Sequence, residues 1–238
     1  MRGPGRAVVV VGAAGGVGAS TLASLLAARW ARGSRPVTLV DLDPRSGGIE
    51  VLLGSEGATG ARWPDLVGVR APVGPADLDR ALPRWGAVEV LGGDRRAEAL
   101  DLAAVQAVWD GLLASGRTVV ADLPGRSLGT EAFAALAEGA QVVVVTGQDV
   151  LGVAAAAVAA QSLPPTAHLV LRRRRPSRVA PAQVAATLRL PLLGQVPGDR
   201  RVADAVDRGL GPMVGSRSRL GRAVAGIARG LDRGLSGA

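Results

Sequence analysis

The residues best suited to chemistry form one dense run, Val11-Gly12-Ala13-Ala14-Gly15-Gly16-Val17-Gly18-Ala19-Ser20-Thr21. Glycines at this density let a backbone approach a ligand closely and adopt positive φ angles. A helix that starts at the end of such a run offers unpaired N–H groups and the positive end of its dipole, so the run reads as a phosphate cradle. Other catalytic chemistries have little material. His168 is the only histidine, which excludes a histidine metal cluster, and no Ser–His–Asp arrangement can be argued from it. There is no cysteine, which excludes a disulfide framework, thiol catalysis and zinc–thiolate sites. Trp30, Trp63, Trp85 and Trp109 are scattered, so they serve packing and form no stacking platform for nucleic acid.

The elements that must hold this loop alternate along the chain. Residues 7–11 are an unbroken apolar run, β-branched from Val8 onward, and residues 20–32 carry Leu22, Leu25, Leu26 and Trp30 at helical spacing. Further strands are predicted at 37–40, 88–91, 118–121, 141–145, 168–171 and 192–196. Helices are predicted at 102–113, 131–138, 150–161, 181–188 and 201–208, with a Pro/Gly-rich surface loop of short helical turns from about 54 to 74. Short apolar strands alternating with helices imply a sheet buried on both faces. The expected fold is α/β: a single-domain, mostly parallel sheet of seven or eight strands with helices on both faces. The domain is expected over residues 1–215, with residues 216–238 a basic amphipathic helix docked on it.

Composition limits the rest. Hydrophobic residues make up 48% of the 238 and charged residues 20%, a globular balance. Lys, Asn and Tyr are absent as well as Cys, so all 28 basic residues are arginine. Lys, Asn and Tyr have AT-rich codons, and the skew matches a GC-rich bacterial genome. The net charge of +8 still favours anionic partners. The first strand begins almost at once, with no signal peptide pattern, and the longest apolar stretch (142–160) is interrupted by Gly147, Gln148 and Asp149. A cytoplasmic protein is expected.

Two families share such a glycine turn. Short-chain dehydrogenases have Gly-x-x-x-Gly-x-Gly, matched by Gly12, Gly16 and Gly18, with Asp41 placed to hold a ribose hydroxyl. Their chemistry needs a Tyr-x-x-x-Lys pair and a structural Asn, none of which this chain contains. The second family is the MinD/ParA group of ATPases, with the deviant Walker A loop Lys-Gly-Gly-x-Gly-Lys-[Ser/Thr]-Thr. Gly15-Gly16-Val17-Gly18-Ala19-Ser20-Thr21 resembles it, with Ala14 and Ala19 at the lysine positions. Val40-Asp41-Leu42-Asp43-Pro44 resembles the group's Asp-x-Asp motif, and Asp122-Leu123-Pro124-Gly125 its Walker B and switch segment. The stretch 190–201, with Pro197 and Asp199, resembles its late strand and Pro–Asp turn. The lysine-less loop is similar to that of the CpaE/TadZ branch, including septum-site-determining (Ssd) proteins. Members of that branch usually carry an N-terminal receiver-like domain, so the chain is read as a short member or a fragment.

The resemblance implies a site of Gly15, Gly16, Val17, Gly18, Ala19, Ser20, Thr21, Asp122 and Gly125 for ATP or ADP. Ser20, Asp43 and Asp122 would hold Mg²⁺, the carboxylates through water, and Asp43 would orient the attacking water. Phosphoryl transfer depends on cations that stabilise charge on the phosphates, and a cationic finger is worth about 10³–10⁵ in rate. With alanine at both lysine positions, weakened binding and little or no hydrolysis are expected. Arg126 is the side chain that could substitute, although a solvated surface position is the expectation for it. The group commonly reads adenine with an Asn after the strand that here ends at Leu171, where this chain has Arg172-Arg173-Arg174-Arg175-Pro176.

The C-terminal helix has Leu220, Val224, Ile227 and Leu231 on one stripe, flanked by arginines. Docking on its own sheet is the expectation, and an acidic membrane surface is the alternative suggested by MinD-type terminal helices. The functional expectation is a positional regulator of the CpaE/TadZ/Ssd type, acting in pilus or secretion assembly or septum placement. It would form a nucleotide-dependent homodimer and dock with protein partners at the inner face of the membrane. The alternatives are a working ATPase with Arg in place of Lys, and a basic, DNA-binding ParA-like partner, the nucleic-acid role resting only on the arginine excess.

Overall fold

A computed structural model describes residues 5–43, 48–94, 99–173, 177 and 179–235. In chain order, β1 (Arg6–Gly12) leads through the glycine loop into α1 (Ala19–Trp30), followed by β2 (Val37–Asp41) and the short α2 (Ile49–Leu53). Next come α3 (Pro75–Ala81), β3 (Arg84–Trp85), β4 (Val88–Leu91), α4 (Leu102–Ala114) and β5 (Thr118–Leu123). The second half contains α5 (Glu131–Ala137), β6 (Gln141–Gly147), α6 (Val150–Ala159), β7 (His168–Arg172), α7 (Pro181–Leu188), β8 (Leu192–Val196), α8 (Arg200–Asp207) and α9 (Arg219–Leu235).

The strands form one eight-stranded sheet in the order β3-β4-β2-β5-β1-β6-β7-β8. Every pairing is parallel except the β3–β4 edge hairpin. The α/β fold with a mostly parallel sheet and helices on both faces is therefore as expected. Three elements are additions to the sequence reading. The two-residue β3 is too short to carry a period, and α2 and α3 are a turn or two long beside Gly/Pro-rich segments.

Period-two alternation along β1 divides the core. Ala7, Val9 and Val11 face Val105, Val108, Trp109 and Leu112 of α4, with Phe133 and Leu136 of α5 in the same layer. Val8 and Val10 face Leu22, Leu25 and Leu26 of α1 on the other side, a layer completed by α2, α8 and α9. Leu220, Val224, Ile227 and Leu231 of α9 are all buried there. The apolar stripe of this helix is thus used within the protein, and Arg219, Arg222, Arg229 and Arg233 face outward. Arg6 ties the layers together at the start of β1. Its Nε donates to Thr118 Oγ1 at 3.0 Å, it pairs with Asp232 of α9, and its guanidinium lies 4.5 Å over the Trp30 ring. Among the described residues no helix is long and apolar enough to cross a membrane.

Candidate phosphate site at the carboxyl end of the sheet

Because β1 and β5 are adjacent and parallel, the glycine loop after β1 and the turn after β5 emerge side by side. β2, on the far side of β5, ends beside them, and Asp41 is the register partner of Asp122. Three segments far apart in sequence thus converge on one edge, the carboxyl end of the central strands, where ligands bind in open α/β sheets.

The loop has the geometry of an anion cradle. Gly16 and Gly18 adopt φ of +71° and +89°, left-handed values that favour glycine. A Cβ added at Gly15, Gly16 or Gly18 would meet nothing within 4 Å, so the loop lines open space. Gly18 caps α1 without a side-chain acceptor, and the first helical bond, from Leu22 N to Gly18 O, spans 2.9 Å. The N–H groups of Ala19, Ser20 and Thr21 therefore have no intrahelical carbonyl to bond. The base of the loop is packed instead. Ala13 N donates to Val145 O at 2.9 Å, and a Cβ at Gly12 would meet Ala14 O and Val17 Cγ2, each at 3.0 Å.

The carboxylates surround the first turn of α1. The Ser20 hydroxyl donates to Asp122, whose carboxyl is nevertheless pushed up to about 6, chiefly by burial and also by the neighbouring Asp43 charge. Asp41 is more deeply buried and is pushed up to about 7, first by desolvation and then by repulsion from Asp122. It has a positioning role that the sequence did not reveal. Its Oδ1 accepts from Asp43 N at 2.8 Å and its Oδ2 from Ile49 N at 2.9 Å, so one carboxylate fixes both sides of the 44–47 segment. Trp63 Nε1 donates to Asp41 O at 2.7 Å, making this tryptophan a support of the site as well as of the core.

Arg126 lies at the surface as expected, in a 3₁₀ turn (Gly125–Ser127) that also directs its guanidinium onto Asp43, with Nη1 3.2 Å from Oδ2 and Nη2 paired with Oδ1. The turn is tight against the loop because Gly125 leaves no room for a side chain: a Cβ there would lie 2.5 Å from Gly12 O. Proximity of Arg126 to the 122–125 motif was the available signal, but pairing with Asp43 depends on the β2–β5 adjacency.

This set of groups suits a magnesium nucleotide. The cradle supplies neutral donors to phosphate, and the hydroxyl–carboxylate cluster is the hard-oxygen environment that Mg²⁺ takes. The raised carboxyl values report negative charge crowded in a poorly solvated place, which a cation would relieve. Farther along the same edge, Arg173, Gln195, Pro197, Asp199, Arg200 and Arg219 line a cavity of about 770 Å³. Arg172 is pinned beside it by its Nη1, which donates to Pro197 O at 3.2 Å. Arg174, Arg175 and Pro176, like Pro44, lie outside the described residues.

Residues 8–213 match the CobQ/CobB/MinD/ParA nucleotide binding domain. The chain belongs to this family. It is 39% identical over 236 residues to an uncharacterised protein of Mycobacterium tuberculosis, an alignment covering 98% of this chain and 66% of that protein. The chain thus spans just under two thirds of that relative's length. Among solved structures, a ParA family ATPase from Chlorobium tepidum superposes with a TM-score of 0.81 at 16% identity, covering 95% of this chain and 98% of the other. The septum site-determining protein MinD of Pyrococcus horikoshii, complexed with Mg-ADP, gives 0.71 at 19% identity, with 98% of each chain covered. At these identities the structural likeness speaks for the fold. Membership of the nucleotide-binding family rests on the domain match.

Proposed function

We propose that this chain is a nucleotide-responsive positional regulator of the CpaE/TadZ/Ssd type, binding Mg-ATP or Mg-ADP with reduced affinity and hydrolysing ATP slowly or not at all. The observation that carries this reading is a cradle that keeps its backbone donors and its Ser20–Asp122 contact while Ala14 and Ala19 occupy the two cation positions. Gly15 to Thr21 would hold the phosphates, with Gly125 keeping the switch turn against the loop. Ser20, Asp43 and Asp122 would hold Mg²⁺, the carboxylates through water, and the metal would neutralise phosphate charge. Without a lysine at either position, charge developing on the leaving oxygen has less stabilisation, so binding outlasts turnover.

Such a protein acts through its bound state. The reading implies a cytoplasmic, nucleotide-dependent homodimer docking on a pilus, secretion or division machine at the inner membrane face. The Mg-ADP complex and septum-site name of the Pyrococcus horikoshii relative support the ligand and the process. The placement of Arg126 on Asp43 supports one second reading, a working ATPase in which arginine replaces lysine. Titration calorimetry with Mg-ATP and Mg-ADP, with turnover assayed on the same sample, tests both. Binding without turnover is expected. Steady turnover abolished by Asp43→Ala would establish the ATPase, and no binding at millimolar nucleotide would end both readings.

A further inference from the structure

The Arg126–Asp43 pair brings a guanidinium to the edge of a loop that has alanine at both cation positions. Gly125 packs against the carbonyl of Gly12 at the base of the cradle, so the residue after it is fixed at the cradle's edge. The charge of Asp43 is felt at Asp122, which in turn accepts from Ser20 in the phosphate loop. The Arg126 guanidinium therefore sits within one carboxylate of the phosphate site. Its contact with Asp43 is two-pronged, the geometry that guanidinium offers equally to carboxylate and to phosphate. The Arg126 side chain is 55% exposed and Asp43 17%, so the arginine is the partner free to turn.

We propose that Arg126 reads the terminal phosphate of a bound nucleoside triphosphate, exchanging Asp43 for that phosphate and giving the site a preference for triphosphate over diphosphate. The proposal rests on the nucleotide-binding reading above and names the residue that makes the site state-dependent. In the free protein Asp43 holds the guanidinium in a phosphate-like grip. A triphosphate carries more negative charge than one carboxylate and competes for the fork. Asp43 is then released beside Ser20 and Asp122, where a magnesium-bound water would meet it. A diphosphate ends one phosphate earlier and leaves the pair closed. The loop gains the Arg126 guanidinium only when the third phosphate is present, so the protein distinguishes the two nucleotides without cleaving either.

The test is calorimetric titration of the full chain with Mg-ATP and with Mg-ADP, comparing wild type with Arg126→Ala, Arg126→Lys and Asp43→Asn. Charge-assisted hydrogen bonds of this kind are worth about tenfold to a hundredfold in affinity. Arg126→Ala is expected to lose about that much for Mg-ATP and less than about twofold for Mg-ADP. Arg126→Lys should recover part of the difference. Asp43→Asn also removes a carboxylate that would hold Mg²⁺, so it is read through the ATP/ADP affinity ratio alone, which should be at least that of wild type because the arginine is already released. An unchanged ATP/ADP ratio in Arg126→Ala overturns the assignment while leaving nucleotide binding intact. So does an ATP/ADP ratio that falls in Asp43→Asn as it falls in Arg126→Ala, which would make the pair a structural clasp. Wild type that binds neither nucleotide defeats the site reading itself, a result separate from the other two.

Discussion

Replacing Gly125 by alanine tests whether the switch turn and the phosphate loop are mechanically joined. A Cβ at this position would lie 2.5 Å from Gly12 O, whereas ordinary contact begins at 3.4 Å. The turn must therefore withdraw by most of an ångström, because the obstacle is a backbone carbonyl of β1 and not a flexible side-chain end. Gly125 does not have a positive φ, so the effect isolates the contact from backbone strain. Overpacking of this size costs about 1–3 kcal/mol, read as a lower urea midpoint at unchanged slope. Withdrawal also carries Arg126 away from Asp43, so Mg-ATP affinity should fall in the same variant. Gly15→Ala is the control: its Cβ meets nothing within 4 Å, and its stability should stay within about 0.5 kcal/mol of wild type. If Gly125→Ala is as stable as Gly15→Ala and binds nucleotide like wild type, the turn and loop are not coupled through this contact.

Three further outcomes follow from the same packing. Because the Asp41 and Asp122 carboxyls are pushed up to about 7 and about 6 from ordinary values of 3.8, the folded state holds more protons than the unfolded chain between roughly pH 4 and 7, and metal-free stability should decline as pH rises through that window. Asp41→Asn should flatten the decline in urea midpoints measured from pH 5 to 8, and an unchanged slope would show that Asp41 does not titrate there. Leu231→Ala, at a fully buried position of α9, should cost about 2–5 kcal/mol; a loss below about 1 kcal/mol would show that α9 is not part of the core. Glu89→Leu removes the acceptor of the buried Arg117 Nε at 2.9 Å and should cost about 3–5 kcal/mol by chemical denaturation, whereas near-neutral behaviour would show that Arg117 finds water or relies on Asp79 alone.

The sequence made the layers legible because helical and strand periods were clean in long segments such as residues 102–113 and 141–145. It also located the glycine loop and the Asp43 and Asp122 segments, since each follows an apolar strand. It could not supply β3, where two residues pair antiparallel at an edge, because so short a segment has no period. Nor could it give the work of Asp41, Trp63 and Arg126. Asp41 and Trp63 act through loops after β2 that carry no period, and the Arg126 contact crosses a sequence gap that the β2–β5 adjacency closes. Arg126 and Asp43 are 83 positions apart, and hydropathy carries no information about that distance.

The absence of lysine does not by itself explain the cradle. A chain with 28 arginines meets its other cationic needs with guanidinium, in the Arg117–Glu89 pair and in the Arg6–Asp232 clasp. Arginine at positions 14 and 19 would fit that pattern, yet both are alanine. Ala14 is exposed and Ala19 is half-buried at the start of α1. Compositional skew alone would have produced an exchange of cations at position 14, and the chain has a deletion of charge instead. Among the described residues, the guanidinium beside the site's three carboxylates is that of Arg126, engaged by Asp43. A permanent cation would favour phosphate in every state of the site, whereas a cation held by a competing carboxylate favours it only when the ligand outbids that carboxylate. Charge arranged in this way suits a protein that reports which nucleotide is bound more than one that consumes it.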